Sequence, residues 1–128
     1  MNLERELRKP LFIVHGKAMT LNEAKSAAPI TSLNASGSQG AIRASAAEIA
    51  SEGLLKIATV GDADLRNLVV SRLQAEPSAR FRFLDGREFS GTQAAEEVKK
   101  RTQEGDYFLR LEKRTMEIVL KELRAGKS

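Results

Sequence analysis

Residues 80–90 constrain the fold most, because their pattern is that of a β-hairpin. The segment RFRFLDGREFS alternates arginine with phenylalanine and contains Asp85-Gly86, a pair typical of the tight turn between antiparallel strands. A two-residue loop would pair Phe83 with Glu88, and a three-residue loop with a bulge would pair Phe83 with Phe89. We expect the second register, since a cross-strand aromatic pair stabilises one face of a hairpin.

Two helices are predicted after this hairpin. The segment Ser90-Gly-Thr-Gln93 has the spacing of a capping box and begins a helix that we expect to end near Glu104, with Gly105 after it. Asp106 is the expected N-cap of a last helix that runs to about Leu123. A hairpin followed by paired helices is typical of α+β proteins.

The first part of the chain alternates predicted strands and helices. The strands are expected at residues 11–15, 30–33 and 54–60, and the helices at residues 21–28, at 41–52 with Gly53 as the left-handed residue after it, and from the N-cap Asp62 to about Ala75. We expect residues 1–9 to be loosely ordered and residues 34–40 to form a flexible loop. The sequence therefore predicts an α+β fold with a mixed β-sheet covered by helices, and a three-layer α/β fold is the alternative.

Composition narrows the classes of function. A chain of 128 residues and 14.0 kDa fits a single domain over residues 1–128. The sequence has no cysteine and one histidine, which excludes disulfides, thiolate metal sites and histidine-based metal sites. No apolar run approaches the 18 residues that a membrane span needs. We therefore predict a cytoplasmic protein without a cofactor or a metal, and with no membrane partner.

One loop has the composition of an anion site. Glycines at the start of a helix let backbone N–H groups converge on an anion, and an arginine one turn later could pair with it. The residues concerned are Ser36, Gly37, Ser38, Gly40 and Arg43. The loop lacks the lysine of a P-loop, so a flexible connector is the simpler interpretation and a small anion- or nucleotide-binding domain is an alternative.

His15 has no acidic neighbour to orient it, so the sequence favours a protein that is not an enzyme.

The excess positive charge lies in the second half of the chain. The net charge is +4, and residues 65–128 hold fourteen basic and ten acidic residues. If nucleic acid binds, the expected contacts are Lys99, Lys100, Arg101, Arg110, Lys113 and Arg114. Acidic residues are interspersed among them, so we treat a nucleic-acid-associated protein as an alternative that is possible but not favoured.

The last predicted helix carries two apolar strips. The wider one is expected to face the core and contains Phe108, Leu109, Met116, Val119, Leu120 and Leu123. Tyr107, Leu111 and Ile118 form a second strip on nearly the opposite side. The preceding helix offers only small apolar residues to cover it. We therefore expect Tyr107, Leu111 and Ile118 to form an interface, with Arg114 and Glu122 at its rim, in a non-enzymatic protein-interaction or assembly module that dimerises through its last helix.

Overall fold

A computed structural model describes residues 2–27, 30–31, 42–43 and 45–126 of the chain. Along these residues the elements are α1 (Leu3–Leu7), β1 (Phe12–Val14), β2 (Lys17–Met19), α2 (Leu21–Ala27), β3 (Ile30–Thr31), β4 (Ile42–Arg43), α3 (Ala46–Thr59), α4 (Asp62–Gln74), β5 (Arg80–Arg82), β6 (Glu88–Ser90), α5 (Gly91–Lys100) and α6 (Gln103–Arg124). The α+β class is confirmed, and so is the hairpin near residues 80–90 that precedes two helices.

The strands are arranged differently from the expected single sheet. Among the described residues they form three separate antiparallel pairs, β1–β2, β3–β4 and β5–β6. These residues contain no parallel pair, so the three-layer α/β alternative is wrong. The physical reason is that residues 54–59 of the segment expected to supply a strand, residues 54–60, belong to helix α3.

Helix α3 replaces two predicted elements. We expected a helix at 41–52 and a strand at 54–60, but α3 runs unbroken from Ala46 to Thr59 and begins with a capping box between Ser45 and Glu48. Gly53 is therefore inside the helix and not after it. A Cβ at Gly53 would lie 2.8 Å from Cε1 of Phe12, so glycine here allows β1 to approach the helix.

The strand expected at residues 11–15 is half of a hairpin. Val14 pairs with Lys17, and the two-residue turn between them is His15-Gly16, with φ angles of 51° and 78°. Two positive φ angles are the signature of a type I′ turn. The spacing Thr20-Leu-Asn-Glu23 predicts a capping box at the start of α2. It is confirmed, since the Thr20 hydroxyl accepts from the Glu23 N–H at 3.2 Å while Glu23 accepts from the Thr20 N–H at 2.8 Å.

The β5–β6 hairpin has a register different from the one that we preferred. Phe89 pairs with Phe81, and the Phe83 N–H donates to the Arg87 carbonyl at 2.8 Å across a turn that contains Gly86. The phenylalanine side chains nevertheless meet on one face, where the rings of Phe83 and Phe89 lie 5.3 Å apart. Their common neighbour is the buried ring of Phe108, which lies 5.2–5.7 Å from each of the three hairpin phenylalanines.

Part of the segment at residues 1–9, which we expected to be loosely ordered, forms helix α1 over Leu3–Leu7. Asn2 caps α1, and Glu6 is buried beneath it. The side chain of Arg72, also buried, pairs with Glu6 and donates to the Pro10 carbonyl at 3.0 Å, while Lys9 bridges Glu6 and Glu76. These ion pairs attach the N-terminal segment to α4. Burial alone would raise the pKa of Glu76, but hydrogen bonds from Arg5 and Lys9 outweigh it and hold that pKa below its ordinary value.

The hydrophobic core is a single cluster that the four longer helices share with β1 and α2. Its fully buried members include Leu11, Leu68, Val69, Val98, Phe108, Met116, Val119 and Leu120. Helix α6 lies centrally, since α1, α3, α4 and α5 all pack against it. One side of α6 therefore packs into the core, and the opposite side lies outside it.

Candidate functional site

The outer face of α6 begins at a sharp reversal of the chain. Helix α5 ends at Lys100, because Arg101 adopts a left-handed conformation with φ 59°, and Thr102 then caps α6 by accepting from the Gly105 N–H at 3.0 Å. We expected the break at Gly105 and a cap at Asp106. Both residues lie instead in the first turn of α6.

Glycine at position 105 is needed for close packing and not for a turn. A Cβ on Gly105 would lie 2.1 Å from the carbonyl oxygen of Glu97, so the first turn of α6 rests directly on the backbone of α5. Arg66 secures the same junction from α4, donating to Asp106 at 3.0 Å and to the Val98 carbonyl at 3.2 Å. The start of α6 is therefore held by two neighbouring helices, α4 and α5.

The inner face of α6 matches the expected core strip. Phe108, Met116, Val119, Leu120 and Leu123 are buried, and Leu109 is partly buried against the same cluster. Glu112 is the buried charged residue on this face, and its Oε1 accepts from Nε of Arg72 at 3.0 Å. The inner face of α6 is therefore buried in the core without any contribution from the opposite side of the helix.

The opposite side carries Tyr107, Leu111 and Ile118, which we call the outer strip. Tyr107 is 47% exposed and Ile118 is 42% exposed, while Leu111 between them is partly buried. Helix α5 packs on α6, its buried residues Gly91, Ala94, Ala95 and Val98 are small, and Tyr107 and Ile118 remain exposed. The structure therefore brings the three predicted interface residues together on one exposed face.

Tyr107 is held firmly at one end of this strip. Its ring lies 5.2 Å from Phe83 and 5.8 Å from Phe108 in edge-on geometry, which is the preferred arrangement of aromatic pairs. Arg87 covers the other side of Phe83 at 4.9 Å and pairs with Glu104 at 2.7 Å, an interaction that holds the pKa of Glu104 below its ordinary value. The exposed part of Tyr107 is thus presented by a rigid aromatic cluster.

Charged side chains border the outer strip. A shallow depression on α6 is lined by Tyr107, Arg110, Leu111, Lys113, Arg114 and Glu117. Within the described part of the chain, Arg110, Arg114 and Glu117 make no ion pair of 4 Å or less. Arg66 and Arg87, by contrast, are paired. The outer face of α6 therefore combines apolar surface with charges that have no internal partner.

The six predicted nucleic-acid contacts fall into two groups. Arg110, Lys113 and Arg114 lie along α6, whereas the other three lie at the end of α5. In the second group Lys99 pairs with Glu96 at 3.2 Å and Arg101 pairs with Asp62 at 2.8 Å, which neutralises part of the positive charge.

Asp62 does not cap α4 as we expected. Gly61 is the N-cap, and Asp62 lies in the first turn, where it accepts hydrogen bonds from Arg66 and Arg101, each at 2.8 Å. These hydrogen bonds hold the pKa of the Asp62 carboxyl below its ordinary value.

The candidate anion loop is mostly outside the described residues. Ser36, Gly37, Ser38 and Gly40 are not described, and Arg43 is described only as a residue of β4. Anion binding there stays a prediction. Among the described residues, no cluster of three histidine or acidic side chains has the geometry of a metal site.

A cavity of about 330 Å³ lies between the β1–β2 hairpin and α3. Most of its lining is apolar, and His15, Glu52 and Lys56 supply polar groups. His15 is exposed in the hairpin turn, where it supplies one of the two positive φ angles of the type I′ turn.

Sequence reasoning missed the buried ion network around Arg72. A signal was present: Arg72 follows Leu65 by seven residues and Leu68 by four, which places it within the apolar face of α4. An arginine on such a face needs buried partners. Those partners, Glu6 and Glu112, lie 66 and 40 residues away, beyond the reach of local patterns.

Comparisons of the chain with protein-family models, with curated proteins and with solved structures found no match. Among the described residues, the helices are too short or too polar to cross a membrane.

Proposed function

We propose that this chain is a non-enzymatic, cytoplasmic protein-interaction or assembly module that associates through the outer strip of α6, with a second copy of itself as the partner. The observation that supports this proposal is the exposure of Tyr107 and Ile118, on either side of Leu111, along one face of a helix whose other face is already buried. Aromatic and aliphatic anchors with charged residues around them are the usual composition of an interface.

The other large apolar side chains that are exposed in the described part of the chain lie apart from each other. Leu55 on α3 is 66% exposed, and Leu84 at the tip of the β5–β6 hairpin is fully exposed. Single exposed leucines are common on monomers and need no partner. The outer strip differs because its three members recur at helical spacing along one face of α6.

The oligomeric state of the purified protein tests this proposal. We expect light scattering or sedimentation equilibrium to give the mass of a dimer, and Ile118→Glu to give a folded monomer with unchanged circular dichroism. Leu55→Glu is the matched control, since it places the same charge on a more exposed apolar side chain of another helix. A wild type that stays monomeric at about 0.1 mM, or dimers lost equally in both variants, would contradict the proposal.

One observation favours a second candidate function, nucleic-acid binding. Arg110, Lys113 and Arg114 lie on one side of α6 and make no ion pair of 4 Å or less with any described residue. Phosphate contacts of this kind lose affinity steeply as salt rises. Submicromolar binding of DNA or RNA at about 0.15 M salt, abolished by Arg110→Glu but not by Lys17→Glu, would favour this function over self-association.

A further inference from the structure

We propose that two copies of α6 pair in antiparallel orientation about a two-fold axis that passes between residues 112 and 113. This inference rests on the proposed function, because it specifies how the second copy docks on the outer strip. It specifies the orientation of the two helices, their register, and the residues whose charges select both, Arg110 and Glu117.

The outer strip is part of a longer row of residues with the spacing of a helix-pairing seam. Intervals of four, three, four and three residues separate the members of this seam, which are Tyr107, Leu111, Arg114, Ile118 and Lys121. Intervals of this kind keep side chains on one narrow stripe and are the pattern by which helices interlock at a shallow angle. The two basic members interrupt the apolar seam, so the orientation must place each of them against a compatible neighbour.

The antiparallel register satisfies that requirement for Arg114. With the axis between residues 112 and 113, Tyr107 of one copy faces Ile118 of the other, and Leu111 faces Arg114. Each of these contacts occurs twice by symmetry. The aliphatic part of the Arg114 side chain can pack on Leu111 while its guanidinium stays in water. A charged residue at the centre of the interface therefore does not have to be buried.

Charge complementarity selects this arrangement. Arg110 and Glu117 flank the seam on the same side and make no ion pair of 4 Å or less among the described residues. In the proposed register Arg110 of one copy lies beside Glu117 of the other, twice per dimer. A parallel pair would place Arg114 beside Arg114. Antiparallel registers one heptad away would place Arg110 beside Arg110, or Glu117 beside Glu117, and like charges at an interface disfavour it.

Charge reversal tests the register. Arg110→Glu and Glu117→Arg should each raise the dimer dissociation constant about tenfold or more, because symmetry repeats the repulsive pair. The double variant Arg110→Glu/Glu117→Arg should return close to the wild-type constant. An equimolar mixture of the two single variants should form a heterodimer with both attractive pairs. Lys17→Glu and Glu52→Arg change the net charge equally at exposed positions outside α6, and they should leave the constant unchanged.

A covalent measurement gives an independent answer. The chain has no cysteine, so Arg110→Cys and Glu117→Cys each introduce one thiol without background. A mixture of these two variants should form the mixed disulfide dimer under mild oxidation, faster than either variant alone. Each variant should keep the wild-type circular dichroism.

Failure of the register is distinguishable from failure of the proposed function. A wild-type dimer that Ile118→Glu dissociates, but whose single charge variants are unaffected or whose double variant is no better than the singles, would overturn the antiparallel register and leave self-association intact. A monomeric wild type would overturn both. Efficient disulfide formation within each cysteine variant, and not between them, would also contradict the register.

Discussion

Arg72 and Glu112 form an ion pair inside the protein, with Nε of the arginine 3.0 Å from Oε1 of the glutamate. The same guanidinium pairs with Glu6 and donates to the Pro10 carbonyl, so one buried cation joins α1, α4 and α6. Removing a buried cation leaves its carboxylate partners unpaired, which costs more than the intact pair contributes.

Replacement of Arg72 should therefore be severe. Arg72→Met keeps most of the side-chain volume but strands two buried carboxylates, and we expect it to lower the free energy of unfolding by about 3–5 kcal/mol in urea titrations. Adding Glu6→Gln and Glu112→Gln should recover part of this loss, because the stranded charges disappear. Arg82→Met is the control, since the exposed Arg82–Glu88 pair should contribute less than about 1 kcal/mol. A loss below about 1 kcal/mol for Arg72→Met would show that the network is dispensable.

The closeness of α5 and α6 predicts a strong effect at a glycine. Gly105→Ala puts a methyl group where the Glu97 carbonyl lies, so the helices must separate, and we expect a loss of about 2–3 kcal/mol in thermal or chemical unfolding. The matched change Gly61→Ala meets no atom within 4 Å and should cost less than about 1 kcal/mol, as expected for an alanine N-cap. Equal losses at the two positions would contradict the close contact.

The ion pairs of Asp62 predict a dependence of stability on pH. Its pKa is held below the ordinary value of about 4 by hydrogen bonds from Arg66 and Arg101. A carboxyl whose pKa is lower in the folded state stabilises the fold above its unfolded pKa, and this stabilisation is lost as the pH falls through the folded pKa. The stability difference between wild type and Asp62→Asn should be constant from pH 6 to 8 and should shrink below about pH 4. A difference that does not change with pH would rule out this role.

The aromatic cluster predicts unequal effects of its members. Phe108 is buried among the three hairpin phenylalanines, so Phe108→Ala should cost about 3–5 kcal/mol in urea titrations. Phe83 is only partly buried, and Phe83→Ala should cost less. Phe83→Ala should also loosen Tyr107, whose ring it contacts, and increase the acrylamide quenching of tyrosine fluorescence. The chain has one tyrosine, which makes that signal specific. A larger loss for Phe83→Ala than for Phe108→Ala would contradict the packing order.

Local sequence patterns predicted the structure correctly where the stabilising contacts join residues that are close in sequence. The capping boxes at Thr20 and Ser90 were predicted correctly because each closes within four residues. The box at Ser45 was equally visible, and it would have placed the start of α3 correctly. The two strips of α6 also followed from spacing alone, since a long helix imposes one period on its side chains.

Longer-range contacts account for the errors. The β-branched residues of 54–60 favoured a strand, but burial of Ile57 against the core and the approach of Phe12 to Gly53 keep this segment helical. Helix-compatible spacing was present there, and tertiary packing decided between the two interpretations. The end of α5 was also mispredicted, because the left-handed position fell on Arg101 and not on a glycine.

Each strand that the structure describes pairs with its neighbour in sequence, and this predicts an order of folding. The β1–β2 and β5–β6 turns close loops of only a few residues, so both hairpins can form within microseconds on their own. The attachment of α1 to Arg72 and Glu76 instead requires closure of a loop of about seventy residues. The entropic cost of closing this loop is offset only when the ion pairs of the N-terminal segment form. We therefore expect the N-terminal segment to dock last on refolding and to exchange its amide protons first.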